Sequence, residues 1–335
     1  SVTIEEPSVS VASRTDGATA DDSKMVAGQT VWLDVDVTVV EGHLTSGVVT
    51  VSLSRSDMLY ITGVTSLTAS SGDVTSSHGT WETVRTSHVT VTPTSSAVVS
   101  LGNVVNSNQA DGVTETVSLT VEAYVMSTTS VSRLDTMTVS VEVTGQEVAS
   151  SEVTDSVGLT FLEPLLQSPV VTPLLTTDAD AFDRVTYTIT VTAVAASADY
   201  STAYSVGLVD ATLPSGGYHL DRVSVDSSLV WEDGGIGDDS SDSHLEEGRF
   251  VDLSDMAPGS STVVTYEVLL DAGVESSDTL TPSLSVAYSS HAASSLHVAR
   301  NYTVASAADP SVTIEEPSVS VASRTDGATA DDSKM

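Results

Sequence analysis

The stretch EDGGIGDDSSDSHLEE gathers Asp233, Asp238, Asp239 and Asp242 into one short segment, with Glu232, Glu246 and Glu247 at its margins. Carboxylates crowded into a Gly- and Ser-rich segment suit a hard divalent cation, since Ca²⁺ takes about six to eight oxygen ligands in flexible geometry. A second acidic turn spaces Asp178, Asp180 and Asp183 as D-x-D-x-x-D, but Phe182 stands where an EF-hand loop needs an oxygen and then Gly. The competing account is a solvated acidic surface with ordinary Asp turn chemistry. The expectation is no required cofactor, with Ca²⁺ at Asp233, Asp238, Asp239 and Asp242 as an optional stiffening ion.

Catalytic chemistry has less to build on. His244-Leu245-Glu246-Glu247 lacks the second His of an H-E-x-x-H helix. No Ser stands in a G-x-S-x-G elbow. No Gly-rich phosphate loop ends in Lys. The expectation is a chain that is not an enzyme. Asn301-Tyr302-Thr303 is an N-glycosylation acceptor, accessible if the chain is secreted. Thr186, Thr188, Thr190 and Thr192 would stand about 6–7 Å apart on one strand face. Ice-binding faces share that spacing with ordinary exposed sheet. Trp32 falls opposite Val31 and Leu33, so it is expected at the surface or an interface.

The elements that must hold these groups are strands. TVWLDVDVTVV places Val31, Leu33, Val35, Val37 and Val39 on one face, and ETVSLTVEAYV does the same with Val117, Leu119, Val121 and Ala123. VTYTITVTAV, STVVTYEVLL and SLSVAYSS continue the period of two. Each reads as a half-buried strand, apolar side inward and Thr, Ser or acid outward. The stretches DGATADD, SNQADG, LPSGG and APGSS supply turn chemistry between the runs. No window carries a helical stripe with caps. The fold class expected is all-β, with tandem Ig-like antiparallel β-sandwich domains.

The 335 residues suggest about two domains of roughly 100–200 residues each. Cysteine is absent, which excludes a small disulfide scaffold. No apolar run approaches the roughly 20 residues of a membrane-spanning helix. Against 46 acids stand 11 bases, a net charge of −35, and such a surface repels nucleic acid and anionic membranes. The 40% hydrophobic share, rich in Val, argues for folded β structure rather than disorder.

Repetition organises the chain. Ser1–Met25 recurs letter for letter as Ser311–Met335, an offset of 310 residues. The expectation is a window on a longer tandem array. A weaker repeat lies inside it: Glu6-Pro7, Glu163-Pro164 and Glu316-Pro317 each follow a β-like run. VAGQTVWLDVDVTV aligns with DAFDRVTYTITVTA, and SLGNVVN loosely with DLSDMAP. Pro lacks an amide donor and holds its predecessor extended, which suits a short stiff crossing. The expected division is 1–7 as the last strand of a preceding repeat and its linker, 8–164 and 165–317 as two sandwiches, and 318–335 as the start of the next repeat.

These residues carry a resemblance. Asp180-Ala181, Asp183, Val185-Thr186-Tyr187-Thr188, Asp210, Leu213-Pro214 and Gly216 resemble the Ig-like conserved-repeat family called domain of unknown function eleven. Phe182 replaces that family's usual Gly. The first half keeps only Ala27-Gly28-Gln29 and has no LPxG turn. The resemblance implies Ig-like sandwiches, a tandem surface or fimbrial protein, and no enzyme activity. Some surface relatives carry Lys–Asn isopeptide cross-links. The second half has no Lys before the repeat resumes, and Lys24 is expected in a polar turn.

The function expected is a structural unit of an extracellular, cell-surface stalk, fibre or filament, partnered by copies of itself. One alternative is an adhesin module binding a glycan, a host protein or ice, stiffened by Ca²⁺. Another is a surface-layer protein of a halophile.

Overall fold

The alternating runs fold as strands in the computed structural model, which describes residues 7–16, 21–108, 114–146, 153–174, 179–180, 182–195, 199–210, 218–232, 249–271, 274–275, 278–292 and 298–315. The first half carries β1 (Ser8–Thr15), β2 (Lys24–Met25), β3 (Thr30–Val39), β4 (Gly42–Leu53), β5 (Leu59–Ala69), β6 (Val74–Ser76), the helix α1 (Trp81–Ser87), β7 (Val89–Thr92), β8 (Ser96–Asn106), β9 (Glu115–Val125), β10 (Thr136–Gln146) and β11 (Val153–Phe161). The second half carries β12 (Val170–Pro173), β13 (Arg184–Thr192), β14 (Tyr204–Asp210), β15 (Tyr218–Val225), β16 (Ser228–Glu232), β17 (Arg249–Asp252), β18 (Ser261–Leu270), β19 (Thr279–Leu280), β20 (Leu284–Ser289), β21 (Asn301–Ala305) and β22 (Val312–Thr313).

Among the described residues the structure is all-β apart from one helix, and its sheets pair into Ig-like sandwiches. In the first half a sheet ordered β1-β3-β9-β5 faces one ordered β2-β11-β10-β4-β8-β6. In the second, β12-β13-β18-β15-β16 faces β17-β14-β20-β21, and β19 pairs with β22. The two halves share a strand plan. β1, β3, β9 and β5 correspond in order to β12, β13, β18 and β15, and β11, β10, β4 and β8 to β21, β20, β14 and β17. Pairing is antiparallel except for β2 on β11 among the named strands.

Two hydrophobic clusters fill these frames. The first takes Val31, Leu33, Val35 and Val37 of β3 against Val49 and Val51 of β4 and Val139 and Val141 of β10. Each such side chain contributes about 1.5–3 kcal/mol on leaving water. The second runs from Leu166 to Ile314. Leu33 pairs with Val121 in the first sandwich. At the equivalent place in the second, Tyr187 pairs with Tyr266, and their rings stack with centroids 5.1 Å apart. The plan persists while the filling has diverged.

Register places the chain's ends. Ser8 pairs with Thr38 and Thr15 with Val31, so the chain enters the first sandwich at the pole where Val39 meets Glu115. It leaves at the other pole, where Phe161 pairs with Met25 beside Thr30 and Tyr124. In the second sandwich Leu166 bridges Ala193 at one end of β13. Ile314 bridges Ala179 at the other end. Both sandwiches thus carry the chain from pole to pole.

Two sequence expectations need correction. Trp81–Ser87 is helical, although no capped helical stripe was expected there. Thr80 caps it by accepting from the Thr83 amide, Glu82 sits in the first turn and Arg85 in the last. At seven residues it is too short to show a period of 3.6 against its β surroundings. Lys24 lies in β2 rather than in a turn, with Nζ 3.9 Å from Asp21.

Phe182 occupies a left-handed conformation, φ 69°, at the position matching Gly28, φ 87°. That conformation costs a residue with a Cβ about 1–2 kcal/mol. The Phe182 side chain, 56% exposed, has little packing to offset it. Phe182→Gly is therefore expected to stabilise the chain by about 0.5–1 kcal/mol, net of Gly's larger unfolded-state entropy. An unchanged or lower urea midpoint would refute this.

Candidate functional site

Where the two sandwiches meet, local turn chemistry and long-range contacts converge. Leu162 donates its amide to Met25 O at 2.7 Å and packs with Val26. Glu163-Pro164 follows, and Leu166 is already inside the second core. The crossing is only a few residues long, and side chains from both sides close over it.

Arg300 is the centre of that closure. It precedes β21 in the second sandwich, yet its Nη1 donates to Glu163 Oε1 and, at 3.1 Å, to Val131 O. Its Nη2 donates to Thr128 O. Thr128 and Val131 lie in the β9–β10 connection of the first sandwich. The guanidinium also sits over the Phe161 ring, 5.1 Å from its centroid. One planar fork thus joins the linker and the first sandwich to the second, a task suited to Arg and not to Lys. Tyr302 adds a hydrogen bond from its hydroxyl to Glu163 Oε1 at 3.1 Å. Burial, and secondarily the Glu163 charge, pushes the Tyr302 phenol well above its ordinary range, so it stays a donor.

Around the clamp the surfaces approach closely. Ser290 donates its hydroxyl to Ala27 O at 2.8 Å and accepts the Arg300 amide at 2.8 Å. A Cβ on Gly28 would lie 3.1 Å from the backbone of Ala299, and Gly28 also needs its positive φ. Both requirements select Gly. Arg133 lies over the Tyr200 ring at 4.6 Å. His291 Nε2 stands 3.3 Å from Asp16 Oδ2, with the Tyr204 ring tilted beside it.

The hydrogen bond to Asp16 holds the His291 imidazole above its ordinary range, against the opposing effect of burial. The sign follows from linkage: a raised folded-state value stabilises the joint fully below about pH 6.5, the unfolded His value. The contribution is lost as pH rises through the raised folded value. Thermal stability is therefore expected to fall as pH rises above about 6.5 more steeply in the wild type than in Asp16→Asn. Parallel profiles would refute the assignment.

The other expected sites fare unevenly. Glu163 and Pro164 lie at the joint, and Pro7 directly precedes β1. Glu6, Glu316, Pro317 and the Ca²⁺ candidates Asp233, Asp238, Asp239 and Asp242 lie outside the described residues, as does the LPSGG turn. Among the described residues no three His, Asp or Glu side chains group as a metal site. Asn301 opens β21 as an exposed residue. The Thr row of β13 is half-buried and flanked by β12 and β18. Trp32 is half-buried on the outer face, with Arg14 4.6 Å above its ring and its Nε1 donating to Glu122. Arg300, Ser290, His291 and Arg133 were not singled out from the sequence. For Arg300 and Arg133 the only signal is scarcity, since Lys and Arg together number 11 in the whole chain.

The fold and joint define a protein of successive Ig-like sandwiches held pole to pole. No family model and no curated protein matches the chain. Among solved structures it is similar to the C-terminal domain of the AgI/II polypeptide BspA of Streptococcus agalactiae, with TM-score 0.41 and 10% identity over 92% of this chain and 100% of that one. It is similar to BcpA, the major pilin subunit of Bacillus cereus, with TM-score 0.31 and 12% identity over 93% and 67%. It is also similar to a C-terminal fragment of the major pilin GBS80 of Streptococcus agalactiae, with TM-score 0.29 and 9% identity over 93% and 92%. All three scores fall below one half, so what this chain does has to be read from its own residues. No helix among the described residues is long and apolar enough to cross a membrane.

Proposed function

We propose that the chain is a structural repeat unit of a long extracellular protein, whose sandwiches succeed one another as a cell-surface stalk, fibre or filament. The observation that carries this is the double use of one stretch. Val312 and Ile314, 0% and 4% exposed in the second core, belong to the stretch that recurs from the chain's beginning. The later part of the same stretch, in its first copy, forms β1 and β2 of the first sandwich. A stretch that closes one sandwich and starts the next is what a tandem array requires at its seam.

Pole-to-pole passage supports the reading, because each sandwich then adds length. The shared strand plan supports the division at Glu163-Pro164, and supports treating the second half as a diverged member of the conserved-repeat family. A net charge of −35 favours solubility and resists lateral collapse. The partners are further copies, and the unit's role is geometric rather than catalytic.

Concatemers of one, two and three 310-residue units provide the test by negative-stain microscopy. Contour length is expected to grow by roughly 80–100 Å per unit. Particles whose length fails to grow with copy number would refute the proposal.

A further inference from the structure

Arg300 meets oxygens that are already fixed from within the first sandwich. Its two carbonyl acceptors, Thr128 O and Val131 O, lie in the connection 126–135 between β9 and β10. A surface connection is by default the mobile part of a sandwich. This one is tied along its length. Val131 is 2% exposed in the first core. Met126 donates its amide to Met58 O, Thr128 its hydroxyl to Asp57 O, and Ser130 its hydroxyl to Asp57 Oδ2. The Ser132 amide donates to Asp135 Oδ2, and the Leu134 amide to Phe161 O. Two aspartates therefore hold the two arms of the connection, and one side chain holds both aspartates. Arg55, in the connection between β4 and β5, grips Asp57 with Nε at 3.0 Å and Nη2 at 2.9 Å, and reaches Asp135 Oδ2 with Nη1 at 3.0 Å. The Asp57 carboxyl is held below its ordinary range first by Arg55, and that of Asp135 first by the Ser132 amide and next by Arg55.

Arg55 and its two partners are about a third exposed, where one ion pair by itself contributes little. The fork instead fixes the spacing of two carboxylates, and these fix a backbone. The oxygens so presented to the joint are Thr128 O and Val131 O, with Glu163 Oε1 and the Phe161 ring beside them. Carbonyls, one carboxylate and an aromatic face are the complement of a guanidinium, whose donors share a plane and whose weakly hydrated face stacks. We propose that the first sandwich carries a preformed guanidinium site, framed by Arg55 through Asp57 and Asp135, and that the second sandwich docks by supplying Arg300 to it. Arg55 is a positioning residue: its hydrogen bonds among the described residues stay within the first sandwich. A site built before docking lowers the ordering cost of docking. Its ligand is then a chemical class rather than one residue, and with Arg300 removed it takes a free alkylguanidinium. The inference concerns the joint alone and holds whether or not the chain serves as a stalk.

Hydrogen exchange of the full chain tests the frame. In Arg300→Ala the Ser132 and Leu134 amides are expected to keep their wild-type rates within about threefold, since neither bonds to Arg300. In Arg55→Ala, with Arg300 in place, both are expected to exchange at least about tenfold faster, while the amides of β3 stay protected and report a folded sandwich. Arg55→Lys keeps the charge without the fork and is expected to fall between. Should Arg55→Ala lose the β3 protection as well, Arg55→Lys decides on the same two amides. Ethylguanidinium then tests the site. Titrated into Arg300→Ala, it is expected to shift the Ser132 and Leu134 amide resonances saturably, with a midpoint on the order of 10 mM. Ethylammonium is expected to leave them unmoved, as is ethylguanidinium added to the wild type or to Arg300→Ala with Arg55→Ala. Equal acceleration in Arg300→Ala and Arg55→Ala would mean that docking builds the site, and overturns the proposal. So does unchanged exchange in the Arg55 variants, or an Arg300→Ala chain that ignores ethylguanidinium or answers ethylammonium equally.

Discussion

Replacing Arg300 with Ala should let the two sandwiches pivot about Glu163-Pro164. The variant leaves Thr128 O and Val131 O without this donor and Glu163 without its cation. The Arg300 and Glu163 side chains are 17% and 22% exposed, so water compensates only in part. Loss of hydrogen bonds to a charged group in such a place costs about 2–4 kcal/mol of joint free energy. The readout is small-angle scattering, in which the maximum dimension of the variant should broaden. Arg300→Lys should rescue poorly, because an ammonium cannot hold three acceptors in one plane. Glu163→Gln separates charge from geometry: its effect should be smaller than that of Arg300→Ala, and the two should be non-additive. A scattering profile unchanged by Arg300→Ala would show that the clamp does not set the joint.

Ile314→Ala should destabilise the second sandwich and spare the first. Ile314 is 4% exposed within the second cluster, and removing such a side chain costs about 2–5 kcal/mol. For a domain of this size that corresponds to a fall of roughly 5–15 °C in its transition. Thr313→Ala, at the exposed position between the two buried ones, should change little. Differential scanning calorimetry would resolve this. A drop shared by Thr313→Ala, or none in Ile314→Ala, would remove β22 from the list of core elements.

Much of the fold was legible because its signal is local. Alternation along Thr30–Val39 and Glu115–Val125 puts the same residues inward in the sequence and in the structure. The matching of VAGQTVWLDVDVTV with DAFDRVTYTITVTA is realised in β3 and β13, which hold the same place in the two sheets. Phe182 stood out as a departure from Gly and carries the positive φ that Gly would relieve. The joint was half legible. Glu163 accepts from Arg300 there, but nothing near Glu163 in the sequence points to Arg300, which follows 137 residues later in the chain. The break in the last strand was also hidden, because NYTVA was noticed only for its glycosylation acceptor, and only pairing shows that it and the later Val312–Thr313 strand together take the place of β11.

The two closing strands imply different behaviour under tension. Drawn at Pro7, the first sandwich is loaded along β1, whose ladder with β3 runs from Ser8↔Thr38 to Thr15↔Val31. The pull is parallel to the strand, so the cross-links share the load in shear and must give way together. Drawn at Glu315, the second sandwich meets the load first at β22, where two residues are paired. That piece can pull free while β21 keeps its own pairing with β20 from Asn301 to Ala305. Residues 306–315 would then pay out as slack before the rest of the sandwich is strained. A fibre of such units would carry a built-in shock absorber once per 310 residues, beside a member that resists until it fails outright.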